Sequence, residues 1–344
     1  MLGPANDTPT VHGKLHVVEL STPWSRAMGL GAPILNAPMG GVAGGRLALA
    51  VSEAGGLGMI GVGSAGSVEL LEREATHPQG AGLPFGIGLL DWALARDPQL
   101  LDAAIAASPV LISVSFGDSW RWAERVREAG IVTAAQVSCG ETARSAVDAG
   151  IDVLVSRGAE GGGHGEPAVG TLPLLEGILE TASVPVLAAG GISTSRGLAA
   201  VLAAGASGAW LGTAFAACPE SLASDATRSA LIVAKDTHTV TTRLFDIALD
   251  YPWPTKYPER VLRNEFWERW QGREEQLSAD PEAISDFKAS RARGNPGSTH
   301  VDAGQGVGAI TQVRTASDVV SRMCAGAVEL LGSWASNANS VEPS

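Results

Sequence analysis

The sequence predicts an α/β fold, a (β/α)8 barrel with a C-terminal helical, aromatic-rich appendage. Three observations carry this. Between Ile34 and Gly212, short apolar runs, mostly β-branched, alternate with Ala-rich amphipathic runs. Strands separated by helices must pair in parallel, because a parallel connection needs a long crossover, and the alternation yields eight such units, the number that closes a barrel. The chain also carries 43 glycines in 344 residues, and many fall just after the predicted strands. An open doubly wound sheet is the rival; it shares the alternation but not the count.

In chain order, apolar β-branched runs predict strands at 34–37, 57–62, 85–89, 110–115, 131–137, 152–156, 184–188 and 208–211. The amphipathic runs between them predict helices at 44–54, 67–75, 97–106, 119–129, 141–149, 172–181 and 194–203, with a last one after Pro219. Several open on Gly, Ser or Asp. Gly55, Gly130, Gly150 and Gly205 stand just past helical stretches, where a left-handed C-cap costs little. From about Arg243 the texture changes: nineteen of the sixty residues 241–300 are charged, and Tyr251, Trp253, Tyr257, Trp267 and Trp270 gather there. The run from Arg260 to Leu277 reads as one strong helix with Phe266 and Trp270 on one face. That helix either packs on the outer wall or serves as a lid or dimer surface. The expected organisation is an N-terminal extension (1–20), the barrel (21–242 and 311–332), the appendage or lid segment (243–310) and a flexible tail (333–344). A final helix at 315–331 closes the barrel.

With 45% hydrophobic and 17% charged residues, the chain has ample core, and disorder is excluded. A net charge of -12 leaves no basic footprint for nucleic acid or an anionic membrane. Cys139, Cys218 and Cys324 fit neither a metal spacing nor a disulfide framework. No run of 18 apolar residues occurs, and the first twenty residues show no basic segment followed by an apolar one, so the expected location is cytoplasmic.

A barrel of this kind places its site at the C-terminal ends of the strands. Gly190-Gly191 and Gly212-Thr213 follow the last two strands, where glycine backbone N–H groups and a helix N-terminus can grip a phosphate. After the sixth strand, residues 158–166 hold five glycines and end on His164-Gly165-Glu166. Such a run gives no packing energy, so something must approach its backbone closely, and a flat ring system would. His164 can move a proton near neutral pH. No metal site is expected: Glu160 and Glu166 are near in sequence, but His12, His16, His77, His238 and His300 are scattered. Residues 56–61 and 61–66 both match G-x-G-x-x-G, a dinucleotide fingerprint, yet the first lies inside a predicted strand, and such matches are cheap in a glycine-rich chain.

Five segments together resemble the nitronate monooxygenase family, formerly 2-nitropropane dioxygenases. They are Pro33 to Met39, Gly158 to His164, Ala189 to Ile192, Leu211 to Phe215 and Ala303 to Gly308, in the family's order and spanning about residues 22–332. The resemblance implies a TIM barrel holding FMN non-covalently, without a metal. It implies that Ala37, Pro38 and Met39 lie against the flavin, with Gln136 near its polar edge. It further implies that Gly162 and Gly163 line the ring, that Gly190, Gly191, Gly212 and Thr213 hold the phosphate, and that His164 is the catalytic base. The chain departs from the family pattern at Gly161, Glu166 and Gly88. The expected activity is an FMN-dependent oxidation of an alkyl nitronate or related carbon acid, with that small molecule and O2 as partners and a homodimer left open. Alternatives are a flavin reductase of enoyl thioesters or quinones using NAD(P)H, and a colourless barrel acting on a sugar phosphate.

Overall fold

The computed structural model describes residues 20–293, 298 and 300–338. The expected N-terminal extension, except for Leu20, and residues 339–344 of the expected tail lie outside them. Among the described residues there are eleven strands: β1 (Ile34–Asn36), β2 (Gly58–Gly61), β3 (Phe85–Leu90), β4 (Leu111–Ser115), β5 (Val132–Val137), β6 (Val153–Arg157), β7 (Gly163–His164), β8 (Val186–Ala189), β9 (Gly208–Leu211), β10 (Thr239–Thr242) and β11 (Glu259–Leu262). Eight of them form one parallel sheet in the order β1-β9-β8-β6-β5-β4-β3-β2, and a parallel bridge between Leu35 and Leu57 joins its two ends. That closure makes a TIM barrel and excludes the open doubly wound sheet.

The barrel arises from a period-two pattern. Leu35, Met59, Leu111, Ala134, Val153, Val155, Leu187 and Trp210 point inward and form one buried cluster. Their neighbours Ile34, Ile60, Ile112, Ala135, Leu154, Ala188 and Leu211 point outward into a second cluster shared with the helices. Trp24 and Leu30 join the inner cluster from a short segment ahead of β1. Gly88 of β3 has a packing reason: a Cβ there would lie 2.2 Å from Cγ of Pro38, whose ring fills that place.

The G-x-G-x-x-G matches have a similar explanation. A Cβ on Gly58 would lie 1.8 Å from the carbonyl oxygen of Ala48, and one on Gly61 would lie 2.5 Å from that of Pro38. These glycines admit close backbone packing inside the barrel.

The appendage departs from expectation. The single helix predicted from Arg260 to Leu277 is instead strand β11, a helix Glu265–Trp270 and a helix Glu274–Ser278. Asn264 starts the first of these by accepting a hydrogen bond from the Trp267 N–H at 3.0 Å. Gly272 ends it in the left-handed region at φ +69°. Phe266 and Trp270 do share a face, but they are buried with Leu244, Phe245, Val261, Leu277 and Phe287 in the appendage's own core. They are therefore not available as a dimer surface. The closing helix runs from Ala316 to Ala338, seven residues beyond the predicted end.

Strand β11 pairs antiparallel with β10 and with β7, which is the end of the glycine-rich run. The appendage thus lies over the C-terminal end of the barrel, where it forms one small sheet with the loop that follows β6.

Candidate active site

A cavity of about 560 Å³ opens at the C-terminal ends of the barrel strands. Every residue expected at the site borders it: Ala37, Pro38, Met39, Gln136, Gly162, Gly163, His164, Gly190, Gly191, Gly212 and Thr213. Residues from five barrel-strand ends therefore meet in one place.

At one end the backbone is arranged for an anion. Gly190 and Gly191 have φ of +111° and +69°, conformations that only glycine adopts without strain. Among the described residues, the N–H groups of Gly191, Ile192 and Ser193 have no hydrogen-bond partner. Helix Ser195–Ala203 begins just beyond, capped by Thr194. The Thr213 hydroxyl accepts a hydrogen bond from the Gly304 N–H at 3.0 Å, which leaves its own proton to donate. Free donors beside a helix start attract a phosphate without any lysine.

The glycine-rich run has close neighbours, but they are the protein's own atoms. A Cβ on Gly162 would lie 2.6 Å from the Gly304 nitrogen, and one on Gly165 would lie 1.9 Å from Nη1 of Arg157. Arg157 Nη2 donates to the carbonyls of Gly161, Gly162 and Gly163 at 3.0, 3.1 and 3.0 Å. Burial, then the nearby Arg260, draw the Arg157 guanidinium down to about 10, so it remains charged at neutral pH and clamps the loop. A flat ring is not needed to explain these glycines. It remains compatible with Gly163, whose nearest neighbour to an added Cβ is Asp302 at 3.7 Å.

His164 sits where the loop enters β7, opposite Glu259 in β11. Its ring stacks on Trp253 with centroids 3.6 Å apart and planes 5° from parallel. Trp253 Nε1 donates to Ser64 Oγ at 2.9 Å, which ties the appendage to the loop after β2. His164 Nε2 lies 3.0 and 3.1 Å from the two oxygens of Asp246. Asp246 is 2% exposed, and so is Glu259. Near the same end, Phe116 adopts φ +67°, a strained conformation for an aromatic residue.

The carboxylates that reach His164 were not the ones adjacent in sequence. Glu160 accepts from the Thr171 N–H at 2.6 Å, and Glu166 accepts from the Ser138 hydroxyl at 2.8 Å. Asp246 and Glu259 come instead from the appendage. Ligand-type atoms of His164, Asp246 and Glu259 lie within 4.8 Å of one another; His164 and Asp246 are hydrogen-bonded, and β-pairing opposite His164 brings in Glu259. His300 is not remote either: it borders the same cavity, and burial lowers its basicity. Asp246 did carry one sequence signal, as a lone acid within the apolar run Leu244–Leu249.

Burial, then the neighbouring carboxylates of Asp302 and Asp246, push Glu259 well above the usual carboxylate range. One of its oxygens is buried without a partner. A carboxyl raised on folding contributes stability below its unfolded value of about 4.5, and that contribution is lost as pH rises through the folded value. Glu259→Gln is neutral throughout, so its Tm relative to the parent should climb as pH rises above 4.5, by roughly 1–2 °C for each kcal/mol recovered in a chain of 344 residues. Thermal unfolding at several pH values checks this; a difference that does not change with pH counts against a neutral Glu259.

A sequence profile of the nitronate monooxygenase family matches residues 93–326. The nitronate monooxygenase of Pseudomonas aeruginosa is 34% identical over 260 residues, covering 60% of this chain and 72% of its own length. An octahydro-1H-indene-4-carboxyl-CoA dehydrogenase of Mycobacterium tuberculosis is 33% identical over 257 residues, covering 73% of this chain and 69% of its own. Among solved structures, FabK from Thermotoga maritima superposes with a TM-score of 0.79 at 27% identity, covering 92% of this chain and 99% of that one.

Proposed function

The chain belongs to the nitronate monooxygenase family and is an oxidoreductase, and on that premise we propose that it holds FMN and oxidises an alkyl nitronate or related carbon acid with O2. The observation that carries this reading is the meeting, in one cavity, of a proton-moving histidine and a backbone anion cradle. The residues present fit the group. The N–H groups of Gly191, Ile192 and Ser193, with the Thr213 hydroxyl, would hold the phosphate. Gly190 and Gly212 give the turns that bring these donors together. Ala37, Pro38 and Met39 would lie along the ring, with Gly162 and Gly163 beside it and the Gln136 amide toward its polar edge.

When bound, FMN supplies a two-electron acceptor that O2 can reoxidise. His164 takes the proton α to the activating group of a neutral substrate and holds it on its ring; a preformed nitronate does not need that step. Trp253 and the appendage sheet cover the histidine and limit water there. Among the described residues no helix is long and apolar enough to cross a membrane. Cys139, Cys218 and Cys324 are free thiols, as a reducing compartment keeps them, and the location proposed is cytoplasmic.

The test is the visible spectrum of the purified protein, followed by anaerobic reduction with NADH, NADPH and a nitronate in parallel. Flavin absorbance with fast bleaching by the nitronate and slow bleaching by both nicotinamides is expected. Fast bleaching by NADH or NADPH alone overturns the reading in favour of a reductase of enoyl thioesters or quinones. A colourless protein that cannot be loaded with FMN overturns it altogether.

A further inference from the structure

We propose that Asp246 is a positioning residue for His164, holding the ring so that Nδ1 is the atom that exchanges a proton with the substrate. The inference rests on the function proposed above. A carboxylate has no hydrogen to give, so the contact from both Asp246 oxygens to Nε2 requires the proton to be on Nε2. Nδ1 has no hydrogen-bond partner among the described residues, and the ring borders the cavity. The neutral ring therefore presents a lone pair at Nδ1, and the ring that has taken a proton is an imidazolium whose charge Asp246 balances.

The surroundings fix this arrangement from several sides. Trp253 covers one face of the ring and is itself held by Ser64. Arg157 binds the Gly163 carbonyl just before the histidine. Asp246 lies in the helix Leu244–Leu249, whose first N–H is accepted by the Thr242 hydroxyl at 3.2 Å, next to β10. The titratable and charged groups facing the pair are Glu259 across the sheet, His300, Asp302 and Arg291. The appendage is thus part of the reaction machinery: the barrel supplies the histidine, and the appendage sets which nitrogen works. The same division of roles underlies the aspartate of hydrolase triads, which selects a tautomer without itself taking the proton.

Two measurements test this on the flavin-loaded protein. In ¹⁵N-histidine NMR, with His164 assigned by comparison with His164→Gln, the parent should show a neutral ring protonated at Nε2. Asp246→Asn should shift that signature toward the other tautomer or a mixture. A parent ring protonated at Nδ1 overturns the proposal whatever the substrate proves to be. In turnover, Asp246→Asn should lose roughly 10–100-fold on a neutral nitroalkane, a share of the ~10²–10⁴ that a positioned acid–base group contributes. It should lose much less on the preformed nitronate, and Asp246→Glu should recover part of the deficit. Equal losses on both substrates, or none on either, overturn the proposal. A parent enzyme that turns over neither substrate defeats the functional reading instead, and the NMR result then still decides the role of Asp246.

Discussion

Replacing His164 with Gln leaves flavin bound and lowers turnover on a neutral nitroalkane by about 10²–10⁴-fold, the usual contribution of general acid–base catalysis. Retention of flavin is expected from the layout of the cavity, since the donors proposed for the phosphate, at Gly191, Ile192, Ser193 and Thr213, make no hydrogen bond with His164 among the described residues. Loss of turnover follows from chemistry, because an amide of similar length cannot accept a proton at neutral pH. Part of the packing on Trp253 survives, as Gln retains a planar end group to lie against the indole. The same variant should lose far less on a preformed nitronate, which arrives without the proton in question. Steady-state kinetics on the two forms of one substrate, with flavin content measured in parallel, check both halves. A variant fully active on the neutral form removes His164 from the mechanism.

The barrel was legible because its signals are local and repeated. Each strand is a short apolar run, each helix has its own face, and all eight predicted strands fall within two residues of those observed. The strand-end residues followed from the architecture, since a closed parallel barrel brings them together at one end. The appendage was less legible for a physical reason. Arg260, Val261 and Leu262 suit a helix by charge and periodicity, but pairing with β10 and β7 draws them into a strand, and that partnership spans nearly a hundred residues of sequence. Asp246 and Glu259 were missed on the same ground, because their closeness to His164 exists only once that sheet forms. His300 looked isolated for the same reason. The glycines were read correctly as places of close approach. The approaching group at Gly162 and Gly165 is protein, which spacing alone does not distinguish from a ligand.

Gly162→Ala should unfold at a markedly lower temperature and retain little flavin. The added methyl carbon would lie 2.6 Å from the Gly304 nitrogen and 2.7 Å from the Ala303 carbonyl carbon, and both are backbone atoms that no rotamer change can move. Relief requires displacing either the histidine loop or the 303–304 segment. Neither is free: Gly304 N–H bonds the Thr213 hydroxyl at 3.0 Å, and Gln305 N–H bonds the Glu160 carbonyl at 2.9 Å. One methyl group therefore disturbs both the loop that carries His164 and Thr213, the threonine proposed to hold the phosphate. Overpacking of this kind costs typically about 1–3 kcal/mol. Gly177→Ala, in the helix Thr171–Leu179 with nothing within 4 Å of an added Cβ, is the control. It should be neutral or stabilising by roughly 0.5–1 kcal/mol. Thermal unfolding and flavin absorbance of the two variants give the comparison. If Gly162→Ala matched the control in both, the glycine-rich run would not be fixed by its contact with residues 303–304, and a bound ring would again be the better reason for its glycines.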